Sequence, residues 1–503
     1  MGLIFNEDPN HFVYTRAQSG ITALSEKDLT DFIDGYADTN ITDFLICVNA
    51  SLPHFKTKNI ESVCDKYKAW ERAGRISGRE NDPIIKSTRL LCETLENGLD
   101  IHNIWINRLR KIGIKPWISV RMNDIHNAGE ADAFLPSGFS RMHPEYLRAG
   151  YRTPSGYYEY ALDYAFPEVR EYYLSVISEA LEAFDADGIE LDFMREIYCF
   201  GVGREYAGIE IMTDFIAQAV ALVRRAEKVR GHKIDMGIRL PDSPEKALRL
   251  GFDAVEWINR GYFDLITVSP RWSSADCDMP IDFWKRLLRG KNIRLAAGLD
   301  VLLDAYNRRG RKYLFGTAET SLGMACAYAA MGADDIYLFN FMDIADPADA
   351  KSKPLFEKEN YRKFLRTIGN AEKQSAENRR NVVTYSDTSA VGLPSRRPLP
   401  LAVRSGFAAV RIPTGTVPED KIARLVIGVE CKPEFTGDKI AVYANAKKCP
   451  FAEEIAPPEI AYDDMRYFAY EIDTSEQNPI VTEAEFSSPD EDIKIHWAEI
   501  QIK

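Results

Sequence analysis

The 503-residue chain has no apolar run long enough to span a bilayer, no C-x-x-C pair, no internal repeat and no low-complexity tract. The first absence excludes a helical membrane protein. The second removes the commonest zinc and redox signatures, and the third removes the solenoids. A Gly-rich phosphate turn after a first strand is also missing, which argues against a doubly wound dinucleotide fold. Positive charge is in short supply: 63 Lys and Arg stand against 76 Asp and Glu, for a net charge of −13. A general nucleic-acid or anionic-membrane surface is therefore not expected. There are 8 cysteines, and Cys47, Cys92, Cys199 and Cys326 lie in mostly apolar contexts. They read as reduced core or boundary residues. The opening Met-Gly-Leu-Ile-Phe-Asn-Glu-Asp has neither a basic region nor an apolar one. The expected location is cytoplasmic, or periplasmic or secreted if a signal segment has been removed.

What is present is most informative at Asp187-Gly-Ile-Glu-Leu-Asp-Phe-Met-Arg195. Ile189, Leu191 and Phe193 share one face of a period-2 pattern, and Glu190, Asp192 and Met194 share the other. Two carboxyl groups on one face of a buried strand cost several kcal/mol unless that face has a purpose. The lumen of a parallel barrel would supply one, with Asp192 near the carboxyl end of the strand, where such barrels hold their chemistry. Upstream, Pro167 opens a helix whose apolar stripe runs through Val169, Tyr173, Val176, Ile177, Ala180 and Phe184. A four-residue turn then delivers the strand, which makes an αβ unit.

Seven further strands follow the same logic: Phe12–Arg16, Thr42–Asn49, Lys115–Asn123, Ile234–Leu240, Asp264–Arg271, Ile293–Asp300 and Asp335–Asn340. Eight strands alternating with helices predict an α/β chain, a (β/α)8 TIM barrel over residues 1–370. Polar residues gather at the expected strand ends: Arg16, Asn49, Arg121 with Asn123, Asp192 with Arg195, Arg239, Arg271 with Trp272, Asp300, and Asn340 with Asp343. The amino ends are expected to lack such a set. The long connections 50–95 and 124–165 are rich in Tyr, His, Arg and Gly, as a substrate cleft requires. Residues 371–381 read as a linker, and 382–503 alternate apolar and polar residues between Pro and Gly, predicting a smaller all-β sandwich.

Leu162-Asp-Tyr-Ala-Phe-Pro-Glu-Val-Arg-Glu-Tyr, leading into Asp187-Gly-Ile-Glu-Leu-Asp, resembles the family-10-like glycosyl hydrolase group of TIM barrels over residues 90–345. Strand 4 is also similar to the family 18 chitinase signature Asp-Gly-x-Asp-x-Asp-x-Glu. Glu190 replaces its first inner Asp, and Met194 its catalytic Glu. The resemblance implies a carbohydrate-active hydrolase cleaving a poly- or oligosaccharide with a carboxylate pair. Asp192 is the expected nucleophile or base, with Asp300 or Glu196 as the acid and Asp343 and Asp242 behind them. Glu190, deeper in the lumen, is expected to orient Asp192 or to pair with an arginine.

Asn123, Asp124 and His126 are candidate ligands for sugar hydroxyls. No second His cluster accompanies them, so no metal or other cofactor is expected. Trp272, Tyr157, Tyr158 and Phe341 are candidates for stacking on sugar faces. Asn49, Asn340 and Asp343 complete the expected substrate-binding set. Arg121, Arg195, Arg239 and Arg271 have two readings. Either they grip an anionic group on an acidic glycan, or they pair internally with Asp192, Glu190, Asp242 and Asp300. Met194 supports an alternative, a catalytically silent carbohydrate-binding barrel. A metal-dependent barrel is disfavoured by arginines where carboxylates or histidines are needed. The oligomeric state is not legible.

Overall fold

The computed structural model describes residues 1–152, 156–271, 274–304, 314–342, 354–384, 393, 398–404, 406–459, 461–474, 480–489 and 492–503. Eight parallel strands close a barrel: β1 (Gly2–Glu7), β2 (Ile41–Cys47), β3 (Lys115–Arg121), β4 (Gly188–Asp192), β5 (Asp235–Pro241), β6 (Leu265–Ser269), β7 (Arg294–Asp300) and β8 (Asp335–Phe339). Each pairs with its neighbours in sequence, and β1 pairs with β8 to complete the ring. Helices intervene, such as Pro167–Ala183 before β4 and Ile209–Arg230 after it. Among the described residues, no helix is long and apolar enough to cross a membrane.

The first strand lies earlier than expected. Phe12 and Arg16 belong to helix α1 (Pro9–Gln18), so Arg16 is not at a strand end. Asp8 caps this helix by accepting from the Asn10 N–H at 2.9 Å, and Pro9 fills the first turn. The local signal is an Asp-Pro start. It outweighs the apolar spacing of Phe12 and Val13, which instead face the core on one side of the helix.

The lumen is packed, as small barrels require. Ile4, Leu45, Trp117, Leu265, Ala296, Tyr337 and Phe339 form a separate apolar cluster inside it. Trp117 lies so close to β4 that a Cβ on Gly188 would fall 2.3 Å from its ring, which explains a glycine at the start of that strand. Ile189 and Leu191 pack outward against the helices.

The amino ends of the strands do carry a charged set, contrary to expectation. Arg294 reaches Asp43 and Asp335, each at 2.8 Å, and Lys115 and Lys233 both pair with Asp235. A second correction concerns Cys92, which forms a disulfide with Cys64 across 5.5 Å between Cα atoms. The two half-sites lie 28 residues apart on neighbouring helices, Val63–Arg72 and Pro83–Glu96. Cys47, Cys199 and Cys326 are free and buried.

After the barrel come helix Ala371–Ala376 and strand Arg379–Val382. That strand joins an antiparallel six-stranded sheet, centred on Ala423–Glu430 and Ile493–Ile502. A second antiparallel sheet of four strands completes a C-terminal β-sandwich. The sandwich is joined tightly to the barrel. The Asn381 amide donates to the Gly323 carbonyl at 2.8 Å, and a Cβ on Gly323 would fall 2.2 Å from the Arg380 carbonyl oxygen, while Arg380 itself pairs within its sheet with the buried Glu499 at 2.6 Å.

Candidate active site

Register decides which side chains meet at the carboxyl end. Arg121 of β3, Asp192 of β4 and Arg239 of β5 are level partners, as are Ser119, Glu190 and Gly237 one layer deeper. In a parallel sheet, level neighbours point to the same side. Strand 4 therefore places both carboxyl groups in the lumen between residues of β3 and β5.

Asp192 is 1% exposed. Arg239 Nη1 donates to its Oδ2 at 3.2 Å and its Oδ1 at 3.4 Å, and the Met194 N–H donates to Oδ1 at 2.8 Å. Arg239 is itself fixed. Its Nε donates to Ser269 Oγ at 3.1 Å, and its guanidinium lies 3.8 Å from the centre of the Phe339 ring. Burial opposes its charge, but Asp192 beside it holds its pKa above the usual arginine value.

Glu190 has no cation of its own. Ser119 Oγ and Tyr337 Oη donate to its Oε1 at 2.8 and 3.0 Å, and Oε2 has no partner. Full burial, together with the nearby charge of Asp192, pushes its pKa up to about 8. Burial thus favours the protonated form of Glu190, and Tyr337 is steadied in turn by the Asn6 amide at 3.0 Å.

Asp300, at the end of β7, is 3% exposed. Its partners are neutral: the Val301 N–H at 2.7 Å and the Asn340 amide at 3.3 and 3.4 Å. Burial pushes its pKa up to about 7, against a partial pull from Arg239. Asn340 reaches it from a left-handed backbone, φ 61°, which asparagine tolerates. Glu196 is buried beside Arg271, whose Nη2 bridges both oxygens at 3.1 and 3.2 Å. Burial raises its pKa despite that pairing.

The remaining arginines also face carboxylates. Arg121 pairs with Asp8 at 2.8 Å and with Asp124 at 3.4 Å. Arg195 approaches the same Asp124 at 3.5 Å and donates to the His126 ring. His126 Nδ1 lies 2.6 Å from Asp124 Oδ1. Burial would raise Asp124, yet His126, Arg195 and Arg121 together hold it well below the ordinary range. Asp242, further out, pairs with Lys246 at 2.6 Å.

Two expected ligands are committed to the backbone. Asn49 extends the β2–β3 ladder, accepting from the Arg121 N–H at 3.0 Å and donating to its carbonyl at 2.9 Å. Asn123 holds both bonding groups of Leu162 at 3.0 Å and the Tyr198 carbonyl at 3.1 Å, lacing two loops together. Phe341 is fully buried, stacked 5.8 Å from Phe364. Trp272 and Asp343 lie outside the described residues. Sequence reasoning missed Asp8, Ser119 and Tyr337. Asp8 was findable from the Asp-Pro helix start, whereas the other two have no signature outside the barrel register. Among the described residues, no group of three or more His, Cys, Asp or Glu is placed to hold a metal ion.

No family model matches this chain, and no curated protein matches it. Solved structures do resemble it. A cycloisomaltooligosaccharide glucanotransferase from Paenibacillus sp. is 11% identical with a TM-score of 0.34, covering 99% of this chain and 57% of its own. The PgaB (BpsB) glycoside hydrolase domain from Bordetella bronchiseptica is 11% identical with a TM-score of 0.42, covering 71% and 98%. A putative alpha-L-fucosidase from Bacteroides thetaiotaomicron is 11% identical with a TM-score of 0.35, covering 99% and 94%. The chain thus spans little more than half of the Paenibacillus protein.

Proposed function

We propose that the barrel is a glycoside hydrolase, with Asp192 as nucleophile or base and Asp300 as proton donor. The observation that carries this is the contrast between two carboxyl groups at one pole. Asp192 is bound to a guanidinium, whereas Asp300, with neutral partners, is pushed up to about 7. Cleavage of a glycosidic bond needs that division: one carboxyl to stabilise or attack the anomeric carbon, and one still protonated to serve the leaving oxygen. Arg239 faces both, so charge lost at one is felt at the other. Glu196 is the second candidate acid.

The charges around the site also bear on the substrate. Arg121, Arg195, Arg239 and Arg271 face Asp8, Asp124, Asp192 and Glu196. Among the described residues these four cations meet four carboxyl groups, with no surplus positive charge for an acidic glycan. The substrate we propose is a neutral poly- or oligosaccharide.

The test is turnover of a panel of aryl glycosides of neutral hexoses, pentoses, deoxyhexoses and uronic acids by wild type, Asp192→Asn and Asp300→Asn. The reading predicts hydrolysis of a neutral member and its loss in both variants. A second reading, a carbohydrate-binding barrel without turnover, is favoured by the occupied oxygens of Asp192 and its 1% exposure. Binding of neutral oligosaccharides with no turnover of any panel member would select it.

A further inference from the structure

The carboxyl groups in the lumen are almost closed to solvent, but one aromatic ring beside them is not. Tyr157 is 46% exposed, although its neighbours Tyr158 and Tyr198 are largely covered. It opens the short helical turn Tyr157–Tyr160 in the long loop after β3. Its ring meets Tyr158 edge-on at 5.7 Å and 81°, and Tyr158 packs on Tyr198 at 5.0 Å.

Through Tyr158 the residue stands beside the Arg271–Glu196 pair, with nearly half of its surface in water. Burial, and then the charge of Glu196, pushes its phenol up to about 12. Arg271 stiffens the arrangement. It donates to Tyr158 Oη at 3.1 Å, lies 4.4 Å from the centre of that ring, and grips Glu196 with its other nitrogen. The loop cannot drift far, because Asn123 binds both Leu162 and Tyr198.

An exposed phenol ring beside a fixed Arg–Glu pair has the composition of a sugar subsite. The ring offers apolar area to the C–H face of a pyranose. The charges nearby are matched, Arg271 with Glu196 and Arg195 with Asp124, so the sugar it suits carries no charge. We propose that Tyr157 is the stacking platform of an outer sugar subsite, which takes a neutral pyranose beside the Arg271–Glu196 pair. This rests on the carbohydrate reading above, and it holds whether the barrel hydrolyses its ligand or only binds it.

The experiment reads binding and is independent of turnover. Asp192→Asn, in the full chain, is titrated calorimetrically with neutral hexasaccharides of glucose, xylose, galactose and N-acetylglucosamine, and with hexagalacturonate. Tyr157→Ala and Tyr157→Phe are then added to the same background, with circular dichroism to confirm the fold. The expected result is binding of a neutral hexasaccharide that is roughly two- to tenfold weaker with Tyr157→Ala. Tyr157→Phe should bind within about twofold of its parent, because the ring does the stacking. Unchanged affinity with Tyr157→Ala overturns the subsite while leaving the carbohydrate reading intact. Equal losses with Phe and Ala overturn it as well, since the hydroxyl would then be the group that matters. Preference for hexagalacturonate refutes the neutral-sugar assignment. Failure of every oligosaccharide to bind removes both the subsite and the carbohydrate reading.

Discussion

At the amino end of the barrel Asp43 takes both terminal nitrogens of Arg294, at 2.8 and 3.1 Å, while at the carboxyl end Asp300 takes, among the described residues, a backbone N–H and an asparagine amide. The two aspartates are buried alike, at 2% and 3% exposure. Their partners differ, and the consequences follow. Also at the amino end, burial would raise Asp235, but Lys115 and Lys233 hold it below the usual range. At the carboxyl end Asp300, with amide partners, and Glu190, with hydroxyl partners, rise to about 7 and about 8. Burial alone therefore does not make a proton donor. Burial without a directly bonded cation raises Asp300 and Glu190, and Glu196 rises even beside Arg271 because its burial outweighs that pairing.

The sharpest way to break this comparison is to neutralise one aspartate at each pole. Asp300→Asn should keep its hydrogen bonds and lose about 10²- to 10⁴-fold in kcat on poor leaving groups, and least on good ones. Asp43→Asn should leave kcat unchanged and lower stability by about 0.5–1.5 kcal/mol, because the half-exposed Arg294 loses one of its two carboxylates and keeps Asp335. If Asp43→Asn reduces turnover per folded molecule as much as Asp300→Asn does, the poles are not functionally distinct.

A pH profile sharpens the same contrast. With Asp300 as the donor, activity should fall above about pH 7, close to tenfold per unit, as its proton is lost. In Asp300→Asn the residual rate should lack that limb. A limb that persists in the variant assigns the donor elsewhere, with Glu196 next in line.

Glu190 tests the thermodynamic side. Its folded value of about 8 lies above the ordinary glutamate value of 4.5, so the folded state holds a proton that the unfolded chain releases. The associated stability is fully present below about pH 4.5 and declines as pH rises to about 8. Glu190→Gln cannot ionise, and its amide oxygen can still accept from Ser119 and Tyr337. The variant should gain on wild type by up to a few kcal/mol between pH 5 and pH 8, measured by urea unfolding at each pH. Parallel pH curves for the two proteins would show that Glu190 does not titrate in this range.

Most of the architecture was legible because barrel strands advertise themselves. A buried run such as Ile-Glu-Leu-Asp, bounded by a helix stop and a polar end, reads correctly without any partner. The exception was β1, where Gly2–Glu7 leads directly into α1, and the helical Phe12 and Val13 mimic a strand. The site was legible in type more than in arrangement. Arginines and carboxyl groups at strand ends were visible, but which arginine meets which carboxyl depends on register. Arg121 pairs with Asp8 across the barrel, and that pairing could not be read with β1 misplaced. The Cys64–Cys92 bridge was invisible for a related reason: it depends on how two helices lie side by side. The charged set at the amino ends is not legible in the sequence, because polar residues before a strand look like ordinary turns.

The smallest effect separates two roles within one residue at the amino pole. Trp117 fills the lumen against Gly188, and its indole N–H donates to Asp43 Oδ1 at 3.0 Å. Trp117→Phe removes the donor and keeps most of the ring. Asp43 retains Arg294, so its charge stays paired and only one hydrogen bond is lost. That loss should cost about 0.5–1.5 kcal/mol, plus a contribution from the smaller ring. In the Asp43→Asn background the same substitution should cost less, since the indole then faces a neutral amide. A double-mutant cycle in urea measures the difference. Kinetic constants at the other pole should not move, because the layer of Ser119, Glu190 and Gly237 separates Trp117 from Asp192. A change in kcat with Trp117→Phe at an unchanged folded fraction would mean that the lumen transmits strain between its ends, and the two poles would then have to be treated as one site.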